Sequence, residues 1–571
     1  MTVAKPPRER TGAGTGAIVG IPSPSEISDE EARVPFATAR RLGWVLFGLQ
    51  LVAMLALSTV EYRRFALTKD FAAYSQALWA ISHGHLDPYS TALGTRFWRN
   101  NGEFVMWPLA LAFRVVPNPI VLLWFQDIVL VLTEVVAFRW VLEVLGARSP
   151  RIPPRTASAL ALGMLAVLVL DPWAFETIAF DFHTHVVAVL FLVLAGRDLW
   201  SGRHARMWCW VPLVLLSNAP GALYVVGLGL TGVLAGRRTR LPGVGLIAAG
   251  AGWFLLLSAI GGDGVGGHGT TAWYGYLVGP HHGPLGVSDV ILGALHRPGL
   301  VVHMIGQRWP VIAAFLLVVG LVGVCSPWGF GVALVVFLPS TLAAPTDFLR
   351  FDQSFQSWAA VPFVLIGSLM VALRLLQRES VGRRIAAGAL AVWAVGAAVL
   401  TLEVLPAVPR HWISVDATAA AQLGTVGRRI PTTAEVVASN GVVGRFAERR
   451  AVYVLWYSPQ IGQFTVTASV PVEQSVVVFV FAPHQGVGEF SDADEAAIIY
   501  VRDRLHARAV AAGSGITAFT WSPPPGTARV TFPVDAASGT ARRAGRATND
   551  PAAEGAALND SHWFATAVVK L

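Results

Sequence analysis

Charge is scarce in this chain. Asp, Glu, Lys and Arg make up 14% of its 571 residues, against 54% hydrophobic residues, whereas a soluble domain keeps about a quarter of its residues charged. That deficit excludes an ordinary soluble protein. Cysteine is nearly absent: Cys209 and Cys325 both lie in apolar runs, which leaves no disulfide framework and no thiolate metal cluster. Nor is the net charge of +8 gathered into one stripe. The arginines sit in short loops between apolar runs, where they set membrane topology, so a nucleic-acid partner is not expected. A cleavable signal is also lacking, because roughly forty polar residues precede the first apolar run.

What the chain has is apolar runs of roughly 15–25 residues, the length a hydrocarbon core demands. The first is Leu42–Val60 and the second runs from Ile120 to about Leu145. Others lie near Ala157–Leu170, Ile178–Ala195, Met207–Leu216, Ala222–Leu234, Val244–Ile260, Trp309–Cys325, Trp328–Leu342, Trp358–Ala372 and Ile385–Leu405. Phe104–Val116 is apolar but too short to cross easily and is bounded by Pro117-Asn118-Pro119, so it reads as a re-entrant or interfacial piece. With about eleven full spans, the basic clusters around Arg40, Arg148, Arg203, Arg237 and Arg383 share one face, which is then cytoplasmic.

The expected organisation follows. Residues 1–41 form a disordered cytoplasmic N-terminus and 42–408 a multispan domain with an extracytoplasmic loop at 61–103. Residues 409–532 form a soluble α/β domain outside the membrane, and 533–571 a largely disordered tail. The α/β reading rests on Val-rich strands at Ala434–Ser439, Ala451–Trp456 and Ser475–Phe481 and an amphipathic helix over Asp492–Leu505. The setting is a cell membrane, multi-pass, with the C-terminal domain extracytoplasmic.

Under this topology His83, His85, His183, His185, His268, His281 and His282 lie on or near the outer face, together with a tight turn at Asp171–Glu176. Titratable residues gathered at one membrane face suggest a site. In the first external loop, Lys69–Trp79 reads as a surface helix with Phe71, Tyr74 and Leu78 on one face. Asp70 at its start can serve as a general base or cation ligand; by spacing alone an N-cap is the commoner role. Asp181 and His185, four apart, share a helix face and with Asp70 form a candidate N/O cation site or a polar packing pair.

Four further features stay open. Asp127 and Glu134, seven apart in the second span, face the bundle as a proton path or pair with an arginine such as Arg114. Asn218-Ala219-Pro220-Gly221 is a tight turn or an unwound cavity lining. Gly261–Pro284 is a lid or a plain loop. Arg350 in Arg350-Phe351-Asp352 binds a phosphate or a surface acid.

Asp70-Phe71 with Gln76-Ala77-Leu78-Trp79, Pro117-Asn118-Pro119 entering a span, Phe180-Asp181-Phe182-His183, and Pro431 with Val436-Val437-Ala438-Ser439-Asn440 occur in that order. In this the chain resembles the DUF2079 membrane proteins, usually placed near the GT-C glycosyltransferase superfamily. The resemblance implies a GT-C-like polytopic helical fold with a small C-terminal α/β domain. It implies transfer of a sugar from a polyprenyl-phosphate donor to a cell-envelope acceptor, with membrane lipid as surroundings. Asp70 is then the catalytic residue, His183, Arg350, Gln76 and Glu103 the substrate-binding set, and Asp181 with His185 the ligands of a divalent cation, Mg or Mn. Ser75 stands where the family has a second acid, and Thr184-His185 where it prefers Pro-Glu. A non-catalytic membrane scaffold or sensor, or a transporter, is therefore the alternative.

Overall fold

The structure, a computed structural model, describes residues 36–98, 102–147, 152–261, 268–279, 285–343, 355–377, 388, 393–399, 401–402, 413–458, 463–464, 468–486 and 491–532. Helix α1 (Ala37–Arg64) has 28 residues, about 42 Å, which exceeds a hydrocarbon core of about 30 Å. It shows two faces. Leu42, Val45, Leu49 and Val52 are exposed, whereas Phe47, Gln50, Met54, Ser58 and Glu61 are buried, the 3–4 residue spacing of a helix with one side to lipid and one to the bundle.

After it come α2 (Lys69–Ser82), the hairpin β1 (Tyr89–Ser90) and β2 (Thr95–Arg96), and α3 (Met106–Val115). The bundle continues with α4 (Ile120–Gly146), α5 (Pro154–Val169), α6 (Pro172–Ala179), α7 (His185–Trp200), α8 (His204–Ser217), α9 (Pro220–Ala235) and α10 (Arg237–Gly261). It closes with α11 (His268–Val278), α12 (Val287–His296), α13 (Pro298–Val319), α14 (Pro327–Leu342) and α15 (Val361–Leu376). Among the described residues, five helical stretches are long and apolar enough to cross a membrane, or six if the bent pair within α13 counts as one span. α9 and α14 are shorter apolar helices in the same bundle. Most of the expected last span, Ile385–Leu405, and all of residues 1–35 and 533–571 lie outside the described residues.

Close approach holds α9 to α10. A Cβ on Gly229 would stand 2.7 Å from the Gly243 carbonyl oxygen, and one on Gly250 2.6 Å from that of Ala222, so backbones touch where side chains would keep them apart. The break at Asn218–Gly221 is a tight turn: Asn218 Oδ1 accepts the Gly221 N–H at 2.9 Å between α8 and α9.

Two expectations fail inside the bundle. Asp171–Glu176 is not an external turn. Asp171 is fully buried and accepts the Trp173 N–H at 3.2 Å, and α5 and α6 run on as one apolar stretch, Pro154–Ala179. Asp-Pro restarts a helix as N-cap and N1 rather than reversing it, and the chain turns later, at 180–184. Nor do Asp127 and Glu134 pair with Arg114, whose Nε donates to the Ser82 carbonyl at 2.8 Å. Asp127 accepts from Ser58 Oγ at 3.1 Å.

The helix α3 is ten residues long, about 15 Å, and does not reach across a bilayer. Met106, Ala110 and Phe113 pack it against Phe71, Tyr74 and Leu78 of α2. α2 therefore does not lie along lipid on its aromatic face. Its other face, Ala72 and Ala73, packs on the C-terminal domain.

That domain begins with α16 (Ala417–Arg429). Strands β3 (Glu435–Ala438) and β4 (Val452–Val454) are followed by the short β5 (Tyr457–Ser458), β6 (Gln463–Phe464) and β7 (Ala468–Pro471). With β8 (Val477–Phe481), β9 (Arg508–Gly513) and β10 (Ile516–Trp521), β3 and β4 form a five-stranded sheet in the order β4-β3-β8-β10-β9. β3 runs parallel to β4 and β8, and β10 antiparallel to β8 and β9. Successive side chains alternate between faces. Val436, Ala438, Val478 and Val480 meet Leu423 and Val426 of α16, while Val437, Val477, Phe479 and Phe481 meet Ala497 and Val501 of α17 (Ser491–Asp503). Burial on both faces explains the unbroken Val-rich runs. A 3-10 segment, Asn440–Phe446, seats the sheet on α2: the Gly444 N–H donates to the Leu67 carbonyl at 2.9 Å, and Arg445 lies over the Tyr62 ring at 3.7 Å.

Candidate active site

The site grows from the way α1 stops. Phe65 takes a left-handed conformation, φ 62°, and the Phe65 and Ala66 N–H groups return to the Tyr62 and Glu61 carbonyls, closing the helix end. Three residues later α2 begins, and its N-cap is Thr68: Oγ1 accepts the Asp70 N–H at 3.4 Å. The cap role expected for Asp70 thus belongs to Thr68, the side chain of the type most favoured there that directly precedes the helix. Asp70 stands in the first turn with its carboxylate released.

A distant acid completes the helix start. Asp181 accepts the Thr68 N–H at 3.1 and 3.2 Å, the Phe71 N–H at 3.3 Å, and the Thr68 hydroxyl. It lies in the loop between α6 and α7 at φ 52°, a conformation that costs a non-glycine residue about 1 kcal/mol. Gln126 of α4 holds that loop: its Oε1 accepts the His183 N–H at 2.7 Å and its Nε2 donates to the Asp181 carbonyl at 2.8 Å. Asp181 and His185 therefore do not share a helix face, because α7 starts only at His185.

This scaffold brings Asp70, Lys69 and His183 together. Lys69 Nζ is 2.7 Å from Asp70 Oδ1, and His183 Nε2 is 3.9 Å from Oδ2. Asp70 keeps 27% of its side chain exposed, so it is reachable. Their electrostatics differ by cause. Burial pushes the His183 imidazole down to about 4 against the pull of Asp70, leaving it neutral at neutral pH. Burial, with the neighbouring Asp70 charge, pushes Asp181 up to about 6 despite its hydrogen bonds to Thr68 and Phe71. Burial also raises the Asp70 carboxyl, but Lys69 and His183 outweigh it and hold the pKa below the ordinary carboxylate value. The result is an ionised, accessible carboxylate in α2's first turn, suited to accept a hydrogen bond from a hydroxyl.

Glu103 lies close by: Oε1 accepts from the Tyr74 hydroxyl at 2.6 Å and from Thr184 Oγ1 at 3.2 Å. Burial and Glu103 push the Tyr74 phenol well above its usual value, so it remains a donor. Tyr74 also packs edge-on to Phe182 at 5.0 Å and to His183 at 6.1 Å, placing Glu103 as a support of the His183 loop. His185 has its ring centroid 5.7 Å from that of His183.

Gln76, expected to bind substrate, is buried and saturated. Its Nε2 donates to Thr91 Oγ1 at 2.8 Å and to the Arg450 carbonyl at 3.1 Å, and its Oε1 accepts from Ser90 Oγ and the Thr91 N–H at 3.0 Å each. It joins α2 to the β1–β2 loop and the C-terminal domain. Arg350, and residues 262–267 and 280–284 of the Gly261–Pro284 stretch with His281 and His282, lie outside the described residues; His268–Val278 between them is α11. Asp181 is engaged by the start of α2, and among the described residues no three His, Cys, Asp or Glu side chains converge as metal ligands. Sequence reading missed Thr68, Lys69, Gln126 and Asn440, whose Oδ1 accepts the Lys69 N–H at 3.3 Å. Thr68, a cap-type residue directly before the helix, and Lys69, adjacent to Asp70, carried local signals; Gln126 and Asn440 did not.

Fold and site together define a multispan membrane protein whose first inter-span segment carries an acid site packed under a mixed-sheet C-terminal domain. Within that class the chain belongs to the DUF2079 family: the family model, described as a predicted membrane protein, matches residues 64–498. Among solved structures it is similar to ArnT from Cupriavidus metallidurans bound to undecaprenyl phosphate, at 15% identity and a TM-score of 0.40, covering 84% of this chain and 98% of that one. No curated protein matches it.

Proposed function

We propose that this chain is a glycosyltransferase that moves a sugar from a polyprenyl-phosphate donor to a cell-envelope acceptor at the outer membrane face. One observation carries the reading: Asp70, ionised and accessible, stands between Lys69 and a neutral His183 just beyond the end of a span. A donor with its isoprenoid chain in lipid presents its phosphate at that depth, and Lys69 is the cation there. The acceptor hydroxyl, hydrogen-bonded to Asp70, attacks the anomeric carbon. Its oxygen–carbon bond forms as the bond to the phosphate oxygen breaks, the proton passes to Asp70, and polyprenyl phosphate leaves with the electron pair. Attack opposite the leaving group inverts the anomeric centre.

On this reading the N-terminus is cytoplasmic and the C-terminal domain outside, where lipid-linked donors replace nucleotide sugars. The test is Asp70→Asn in proteoliposomes charged with polyprenyl-phosphate sugars and envelope acceptors. Transfer by the parent protein and a loss of about 100-fold or more in the variant, with an unchanged melting temperature, supports the reading. A D70N variant that transfers at the parent rate removes it.

A further inference from the structure

A cleft lies at the other end of α1, about 35 Å along that helix from the acid site. It has a volume of about 570 Å³ and opens between the start of α1, the end of α4 and the end of α7. Its walls are of two kinds. Phe47 and Phe138, ring centroids 6.0 Å apart, form an apolar floor, with Trp44 and Trp200 at the sides. Three guanidinium-bearing residues, Arg40, Arg139 and Arg203, line the rest, with one acid, Glu143.

The charges do not cancel. Glu143 is taken by Arg197, in a pair whose Nε–Oε2 contact is 2.9 Å. Arg203 is taken by Asp198 at 2.9 Å, which Arg206 also approaches at 3.0 Å. Arg40 and Arg139 have no ion pair among the described residues; Arg139 lies over the Trp44 ring at 5.3 Å. Two exposed guanidinium groups thus face a cleft in which Glu143, the only acid among the described lining residues, is already neutralised. Trp44, near the start of α1, is 54% exposed. Tryptophan and arginine at one end of an apolar helix mark the membrane–water boundary, which sets the cleft at headgroup depth.

We infer that this cleft binds one anionic phospholipid, its phosphate between Arg40 and Arg139 and the upper part of an acyl chain along Phe47 and Phe138. Volume, chemistry and depth agree: a pocket of a few hundred cubic ångströms holds a headgroup and several methylenes, and basic pockets between spanning helices select acidic lipids. A zwitterionic lipid gains less, because its own cation meets the same two arginines.

Native mass spectrometry of the full chain in detergent tests this, titrated separately with phosphatidylglycerol, phosphatidylcholine and inorganic phosphate. One phosphatidylglycerol is retained about tenfold more tightly than phosphatidylcholine. R40Q and R139Q each weaken it several-fold and the double variant by more than tenfold, while R40K with R139K retains most of it. Both arginines are exposed, so the melting temperature of lipid-free protein stays within a degree or so and shows that the variants fold. Equal retention of the two lipids, or retention unchanged in the double variant, overturns the inference. Displacement of phosphatidylglycerol by millimolar inorganic phosphate assigns the cleft to a free anion and overturns it equally.

Discussion

Replacing Gln126 by Leu tests whether one amide inside a span holds the active loop. Gln126 is 1% exposed, so the substitution keeps nearly the same volume and leaves no large cavity. It removes the acceptor of the His183 N–H and the donor to the Asp181 carbonyl, at 2.7 and 2.8 Å, and a longer contact to the Thr177 carbonyl at 3.4 Å. Each buried group orphaned in this way costs about 1–3 kcal/mol, and water reaches none of them easily, so the loss is about 2–5 kcal/mol. The loop also gives up its means of holding Asp181 at φ 52°, a left-handed conformation that carries about 1 kcal/mol of strain. Asp181 then leaves the start of α2, and Asp70 loses its orientation.

Two readouts follow: thermal unfolding in detergent, where the midpoint drops by several degrees, and sugar transfer, which falls by about tenfold or more. Gln126→Glu separates the two bonds, because it keeps an acceptor for His183 and deletes the donor to Asp181. An intermediate midpoint is expected for it. If Gln126→Leu leaves both midpoint and transfer at parental values, the loop is held by something else and the chain of support from α4 to Asp70 is wrong.

Other consequences are as direct. Gly444→Ala puts a Cβ 2.6 Å from Leu67 Cβ and 2.9 Å from the Leu67 carbonyl oxygen; such overpacking costs about 1–3 kcal/mol, and limited proteolysis should release the C-terminal domain at a lower protease concentration. Burial is the main cause that pushes Glu435, fully buried in β3, up to about 7. A raised acid contributes stability that is fully present below its unfolded value and is lost as pH rises through the folded one. The melting temperature of the parent should therefore fall between about pH 5 and pH 7, and fall less steeply in Glu435→Gln; a variant with the parent's slope there refutes the assignment. For sidedness, single cysteines at Arg237 and at the exposed Ile499, in a Cys209→Ser, Cys325→Ser background, should react with an impermeant maleimide on intact cells at Ile499 only. The reverse pattern inverts the proposed topology.

What could be read from the sequence depended on whether its cause was local. Strands β3, β4 and β8 announce themselves because sheet burial on both faces demands Val and Phe in succession. By contrast β9 is largely exposed, with only Ala and Val between Arg508 and Gly513, and the helical period of α16 (Ala419, Ala420, Leu423 and Val426) is carried mostly by small residues, so neither stood out. Asp70 was legible from its place after the first span, since position relative to a membrane is itself a sequence property. Its surroundings were not. Asp181 meets Thr68 across 113 residues, and no period of 3.6 or 2.0 encodes a side chain that serves another helix. Gln126 was hidden by Asp127, the more conspicuous acid next to it.

The helix-face argument for Asp181 and His185 failed for a related reason. It assumed that α7 begins before Asp181, whereas the left-handed residue and the loop after it delay the helix until His185. That delay is what separates the two nearby acids into distinct roles. Asp181, spent on the backbone of α2 and pushed up to about 6 by burial and by the charge of Asp70, cannot easily carry a second full charge at the same place. Asp70, with Lys69 against it and an open side, can. Two carboxylates whose environments drive them apart are the usual mark of one acid holding geometry while the other meets substrate. Here the order is fixed by Thr68: by capping α2 itself and handing its N–H and hydroxyl to Asp181, it leaves Asp70 the only acid of the pair with nothing structural to do.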